Sequence, residues 1–310
     1  MFLENALSIK NNLWRYALGL LIIFIFTQIG TIPFVVAIFQ KVGLEGAAKI
    51  SPSNMMTVLE NSNLTFFYLL LSFFIGFAGF LIVIKFLHNQ SLKSVTTARN
   101  SIDFNRIFTA FISISLLIIL NLLFSIYSSP DEYIFQFSLN DFLILGLIAI
   151  IFIPVQTSLE EYVFRGYLMQ GFGVFFKNKW FPLFATSLGF GLLHLSNPEI
   201  DKLGNIIIIH YIITGLFLGV ITLMDDGMEL ALGFHAGNNL LIALLVTADW
   251  TVFQTSSVFK YIGEPDIVNQ MFYSLLFYPL LLFYFSKKYR WTNWKEKLFG
   301  KVLPLKKDSI

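Results

Sequence analysis

Glu160 and Glu161 stand side by side in the run Ser158-Leu159-Glu160-Glu161-Tyr162-Val163-Phe164-Arg165. Further along, His194 follows Phe190 by four residues, and Asn239 follows His235 by four. Carboxylates, imidazoles and an amide are the groups of hydrolytic chemistry. A carboxylate or imidazole takes a proton from water, and an amide or imidazole N–H meets the oxyanion that forms. Residues four apart share a helix face, so Glu161 can pair with Arg165. Glu160 points about 100° away and keeps its carboxylate for proton transfer. The same spacing puts the heads of His235 and Asn239 on one spot. Each piece also has a structural reading. Glu161–Arg165 can be a salt bridge, His194 a satisfied core histidine, and Asn239 a polar bridge in a helix contact through the small residues Ala236 and Gly237. His210 has only Thr214 as a polar neighbour one turn away and reads as structural.

The elements that carry these groups are apolar. Of 310 residues, 56% are hydrophobic and 13% charged, against about 25% charged in a soluble domain. Thirty-six Phe and 12 Tyr cannot all be buried in one aqueous core, so the solvent is lipid. A spanning helix needs about 20 mostly apolar residues. Eight segments qualify: Tyr16–Phe39, Leu64–Leu87, Ile107–Tyr127, Phe142–Gln170, Phe181–Leu195, Ile206–Met224, Leu230–Val246 and Met271–Phe285. Pro154 interrupts the fourth, and Gly171 and Gly173 predict its end near Gln170. The first is a retained helix rather than a signal peptide. No alternating strand pattern and no internal repeat is visible. The expectation is an all-α, polytopic membrane helical bundle of about eight transmembrane helices. Residues 1–286 form the membrane domain, with its motif core at 142–246, and 287–310 form a basic, aromatic cytoplasmic tail.

Ionisable groups at membrane depth are costly and mark function. Apart from Lys85, which sits at a helix end and can snorkel, six lie in the apolar spans: Glu160, Glu161, Arg165, His194, His210 and His235. At 1.5 Å per residue, Glu160 rises ~15 Å above Gln170, His194 ~20 Å above Phe181 and His235 ~10 Å above Met228. These depths let the groups meet near mid-membrane. With the N-terminus inside, 17 of the 21 Lys and Arg fall on cytoplasmic segments, leaving Lys41, Lys49, Lys202 and Lys260 outside. Both termini are therefore expected in the cytoplasm and the protein in the cytoplasmic membrane. The tail interleaves Trp291, Trp294 and Leu298 with lysines and Arg290, a pattern that suits anionic lipid as well as a solvated tail. A net charge of +2 gives no nucleic-acid-binding face. The absence of Cys removes disulfides, thiolate zinc sites and cysteine nucleophiles.

Glu160-Glu161-x-x-x-Arg165, Phe190-x-x-x-His194 and His235-x-x-x-Asn239, in this order on successive helices, resemble the three-motif signature of CPBP-family intramembrane proteases. That family includes the type II CAAX prenyl endopeptidases and bacterial Abi relatives. The resemblance spans about 80 residues and implies an intramembrane endopeptidase acting on a membrane-anchored, possibly CAAX-prenylated-like, peptide or protein. Carried over, it makes Glu160, His194, His235 and Asn239 catalytic: Glu160 with His194 activates water, and His235 with Asn239 stabilises the oxyanion. Glu161, Arg165 and Phe190 support them. The glutamate mechanism uses no cofactor. The alternative is a Zn2+ metalloendopeptidase with Glu160, His194 and His235 as ligands, although there is no His-Glu-x-x-His run. A non-enzymatic membrane immunity or binding protein on the same scaffold is the competing function. The partners expected are a membrane-anchored substrate and the lipid bilayer.

Overall fold

A computed structural model describes residues 1–303. Its main elements are eight helices: α1 (Leu13–Ala47), α2 (Ser62–Leu87), α3 (Phe104–Ser128), α4 (Leu139–Phe176), α5 (Trp180–Leu193), α6 (Ile207–Met224), α7 (Glu229–Leu245) and α8 (Ile267–Lys288). They overlap the eight apolar segments of the sequence. Five of them (α1–α4 and α6) are long and apolar enough to cross a membrane, and α5 and α7 are shorter apolar helices. Large apolar side chains on α1, α3 and the first half of α4 face outward, Phe24, Leu120 and Leu147 among them. Such faces suit lipid and would aggregate in water. The chain is an all-helical, polytopic membrane bundle.

Packing runs from α1 to α2, from α2 to α4, and from α4 to α7. Helix α7 also touches α3 and α6, while α6 carries α5 and α8. The central position of α7 rests on its missing side chains. A Cβ at Gly233 would lie 2.0 Å from the carbonyl oxygen of Ile107 on α3, and one at Gly237 would lie 2.9 Å from that of Phe111. Two glycines four residues apart let the helix backbones touch, the packing available to helices in lipid. The small residues of the His235 motif thus face α3, with Gly233 one turn below Gly237.

Helix α4 departs from the expected boundaries. Pro154 lies within the continuous helix Leu139–Glu161. Tyr162–Leu168 then widens into a π-helical segment, a form concentrated at functional sites. Gly171 and Gly173 do not end the helix. It continues to Phe176, where Lys177 takes the left-handed conformation at φ 56°. These glycines instead admit neighbours: a Cβ at Gly171 would meet the Tyr16 ring at 2.6 Å, and one at Gly173 would meet Leu3 at 3.0 Å.

Three short strands, absent from the sequence reading, close one end of the bundle. β1 (Tyr133–Phe135), β2 (Val246–Thr247) and β3 (Phe259–Tyr261) form a sheet in the order β1-β3-β2. β1 pairs antiparallel with β3 and β2 pairs parallel with it. Both chain ends gather at the opposite end. Phe2, Leu3 and Val302 pack with Met169, Leu183 and Leu223. The segment after α8 lies on the bundle, with Trp291 and Val302 buried and a short helix at Trp294–Phe299. Tail residues 304–310 lie outside the described residues.

Candidate active site

Polar side chains from α4, α5, α6 and α7 converge where the π-helical segment begins. Glu161 and Arg165 are fully buried and paired, Nη1 to Oε1 at 3.0 Å. The guanidinium also donates to the carbonyl oxygen of Gly215 on α6 at 3.2 Å and lies 4.4 Å above the Phe190 ring of α5. One cation therefore ties three helices, and Phe190 serves as its platform. A Cβ at Gly215 would sit 3.0 Å from the Ser187 backbone, so glycine permits the α5–α6 approach that exposes this carbonyl to Arg165.

His235 stands between the two acids. Its Nδ1 is 2.8 Å from Oε1 of Glu161, and its Nε2 is 3.4 Å from Oε2 of Glu160. The Glu160 side chain retains 20% exposure while Glu161 has none. The adjacent acids thus have different surroundings, as their spacing predicts: Glu161 is engaged by Arg165 and His235, and Glu160 borders open space. The position of His235 on a line from Glu161 to Glu160 was not legible in the spacing.

His194 is the first residue beyond α5 rather than part of it, opening a short 3-10 turn, His194–Ser196. Its backbone N–H turns to Gly191 and Leu192, leaving the Phe190 carbonyl without its usual helical donor. The His194 side chain fills that place, with Nδ1 2.7 Å from Phe190 O. A carbonyl only accepts, so Nδ1 carries the proton and Nε2 is left with a lone pair. The His194 ring lies 4.8 Å from that of Phe190. Phe190 in turn lies 5.9 Å from the His235 ring.

Asn239 donates from Nδ2 to Oε1 of Gln156 at 3.2 Å and accepts at Oδ1 from Asn238 Nδ2 at 3.0 Å. These two bonds fix which way the amide points and leave one N–H of Nδ2 unused. Gln156 lies one turn before Glu160 on α4, and sequence reasoning passed over it because an amide among apolar residues carries no ionisable signal. Tyr211 of α6 was missed as well. Its ring stacks on His194 at 4.1 Å and 22°. His210 turns the other way, to Ser274 of α8, with Nδ1 2.8 Å from the hydroxyl.

The atoms left over for a zinc ion are the Glu160 carboxylate and Nε2 of His194 and His235. Among the described residues no three His, Asp or Glu side chains are grouped to hold a metal ion. Glu161 is taken up by Arg165, and Nδ1 of both His194 and His235 is taken up by protein acceptors.

A family model described as type II CAAX prenyl endopeptidase Rce1-like matches residues 139–241, which hold every side chain of the cluster just described. The chain is 30% identical over 262 residues to the uncharacterized protein YyaK of Bacillus subtilis (strain 168), covering 79% of this chain and 81% of that one. No solved structure matches the chain.

Proposed function

The chain belongs to the Rce1-like type II CAAX prenyl endopeptidase family, the CPBP proteins, and from that premise we propose that it is an intramembrane endopeptidase of membrane-anchored peptides or proteins. The observation that carries this reading is the unequal pair of acids, Glu161 locked by Arg165 and Glu160 facing open space against Nε2 of His235. A water beside Glu160 loses a proton to that carboxylate as its oxygen attacks the peptide carbonyl carbon. Nε2 of His194, free because Nδ1 is held by Phe190, shares in moving this proton. The oxyanion meets the unused N–H of Asn239 and, when it carries a proton, Nε2 of His235, which Glu161 orients. When the C–N bond breaks, the proton taken from water passes to the departing nitrogen, and the products are an acid and an amine. General base catalysis of this kind supplies about 10²–10⁴-fold. The N–H donors to the oxyanion add a comparable factor.

The same reading places both termini in the cytoplasm. The distribution of Lys and Arg supports it, and so does the gathering of Phe2, Leu3 and Val302 at one end of the bundle.

The test is hydrolysis of a library of membrane-anchored peptides, with and without a prenyl group, in proteoliposomes made up in heavy-oxygen water. The wild type should release fragments carrying the heavy isotope in the new carboxylate, and Glu160→Gln should release none. A correctly folded wild type that cleaves nothing, or a Glu160→Gln variant that cleaves equally well, refutes the assignment. The first of these results points to a binding protein on the same scaffold.

A further inference from the structure

We propose that Tyr211 is a positioning residue for His194: its ring, stacked on the imidazole, holds Nε2 of His194 toward Glu160 in the proton-relaying tautomer. This rests on the reading of His194 as part of a peptidase site.

His194 is in an exposed situation for a group that must be held still. It follows the last residue of α5, and its neighbours Leu192, Leu193 and Leu195 are all exposed. Beyond it come only the 3-10 turn His194–Ser196 and a five-residue helix, Glu199–Leu203. The single bond from Nδ1 to the Phe190 carbonyl fixes one end of the imidazole but leaves the ring free to swing about that end. Two aromatic rings restrict the swing. Phe190 meets the imidazole tilted at 50° and 4.8 Å away, while Tyr211 lies nearly parallel to it, 22° and 4.1 Å away. Offset stacking at this separation is a favoured arrangement of π systems, and of the two contacts only the Tyr211 face defines a plane for the imidazole. Tyr211 is itself anchored. It lies in the second turn of α6, one turn before Gly215, whose carbonyl receives Arg165. Its hydroxyl accepts from Nδ2 of Asn197 at 3.5 Å, a residue of the same turn that His194 opens. Helix α6 thereby registers the loose end of α5 against the Glu161–Arg165 pair.

The chain has four His, so labelling with heavy-nitrogen histidine gives a small set of imidazole signals by NMR, and His194→Gln identifies the pair from His194. The wild type should show the Nδ1-protonated tautomer. Tyr211→Met, which fills similar volume without a flat face, should show a tautomer average. Its kcat on a cleavable membrane peptide should fall about 10- to 100-fold, the scale set by misplacing a catalytic group by about an ångström, with KM within about two-fold of wild type. Tyr211→Phe, which keeps the face, should restore both the tautomer and kcat. A Tyr211→Met protein with the wild-type tautomer and kcat overturns the proposal. So does an Nε2-protonated His194 in the wild type, a measurement that needs no Tyr211 variant to fold. The NMR arm is independent of cleavage. If the wild type cleaves nothing while Tyr211→Met still averages the tautomer, the peptidase reading fails and the positioning stands.

Discussion

Removing Arg165 while leaving Glu161 in place should unfold the site from within. The guanidinium is wholly buried and has three partners: the Glu161 carboxylate at 3.0 Å, the Gly215 carbonyl at 3.2 Å and the Phe190 ring at 4.4 Å. Oε2 of Glu161 already lacks a hydrogen-bond partner, so Arg165→Met leaves the carboxylate with His235 alone. Breaking one side of a buried pair destabilises by about 3–5 kcal/mol, because the remaining charge is uncompensated. Methionine fills the space of the aliphatic stem, which keeps any cavity contribution small. The double variant Glu161→Gln/Arg165→Met removes both charges and should recover most of that loss. Denaturant unfolding of the four purified proteins of this cycle, followed by tryptophan fluorescence, isolates the coupling. A single Arg165→Met variant within about 1 kcal/mol of wild type, below the range for a broken buried pair, refutes the reasoning. A double variant no more stable than the single one does the same, since stability would then rest on packing instead of charge.

Four further outcomes follow from the geometry. Asn239→Ala should lower kcat about 10²–10³-fold with folding intact. Gln156→Leu, which releases the amide without removing it, should lower kcat by a smaller factor in the same peptide assay. Gly233→Leu should abolish recovery of monodisperse protein on size exclusion, because even a Cβ there meets the Ile107 carbonyl at 2.0 Å; normal recovery would contradict the α3–α7 contact. Glu199, in the connection between α5 and α6, is buried, with Oε1 accepting from Val252 N–H at 2.8 Å and Oε2 unpartnered. Burial pushes its carboxyl above the usual value of 4.5. The folded state therefore holds this proton more tightly than the unfolded one, and the resulting stability, full below pH 4.5, is lost as pH rises through the folded value. Glu199→Gln should unfold at a higher temperature than wild type near neutral pH, with the gap closing in acid; a gap independent of pH would count against it.

The polar cluster was legible in the sequence because ionisable groups are rare in lipid-facing helices. Glu160, Glu161, Arg165, His194 and His235 announced themselves against an apolar background, and the four-residue spacing anticipated the Glu161–Arg165 pair. What spacing within one helix cannot reveal is contact between helices. The line from Glu161 through His235 to Glu160 joins residues more than 70 positions apart, and Tyr211 reaches His194 across a connection with no fixed period. Helix ends were misjudged for a related reason. Gly171 and Gly173 read as a stop because glycine favours turns, yet they lie in continuous helix to let Tyr16 and Leu3 approach. The three strands were too short for any alternation to show.

The acids of the turn between α6 and α7 carry a different lesson. Asp225 is bound by Arg99 at 2.7 Å, by Arg106 at 2.8 Å and by the Trp291 indole at 2.9 Å. Arg99 also holds Glu229, and Lys297 holds Asp226. This turn launches the helix that bears His235 and Asn239, and two of its fasteners come from the segment that follows α8. A ribosome can therefore deliver every span to the bilayer before the hinge beneath α7 is clamped. Stop codons placed just before Trp291 should yield chains whose helices insert normally while the turn before α7 stays unclamped, so the stretch after α8 completes the seating of α7 rather than trailing from it.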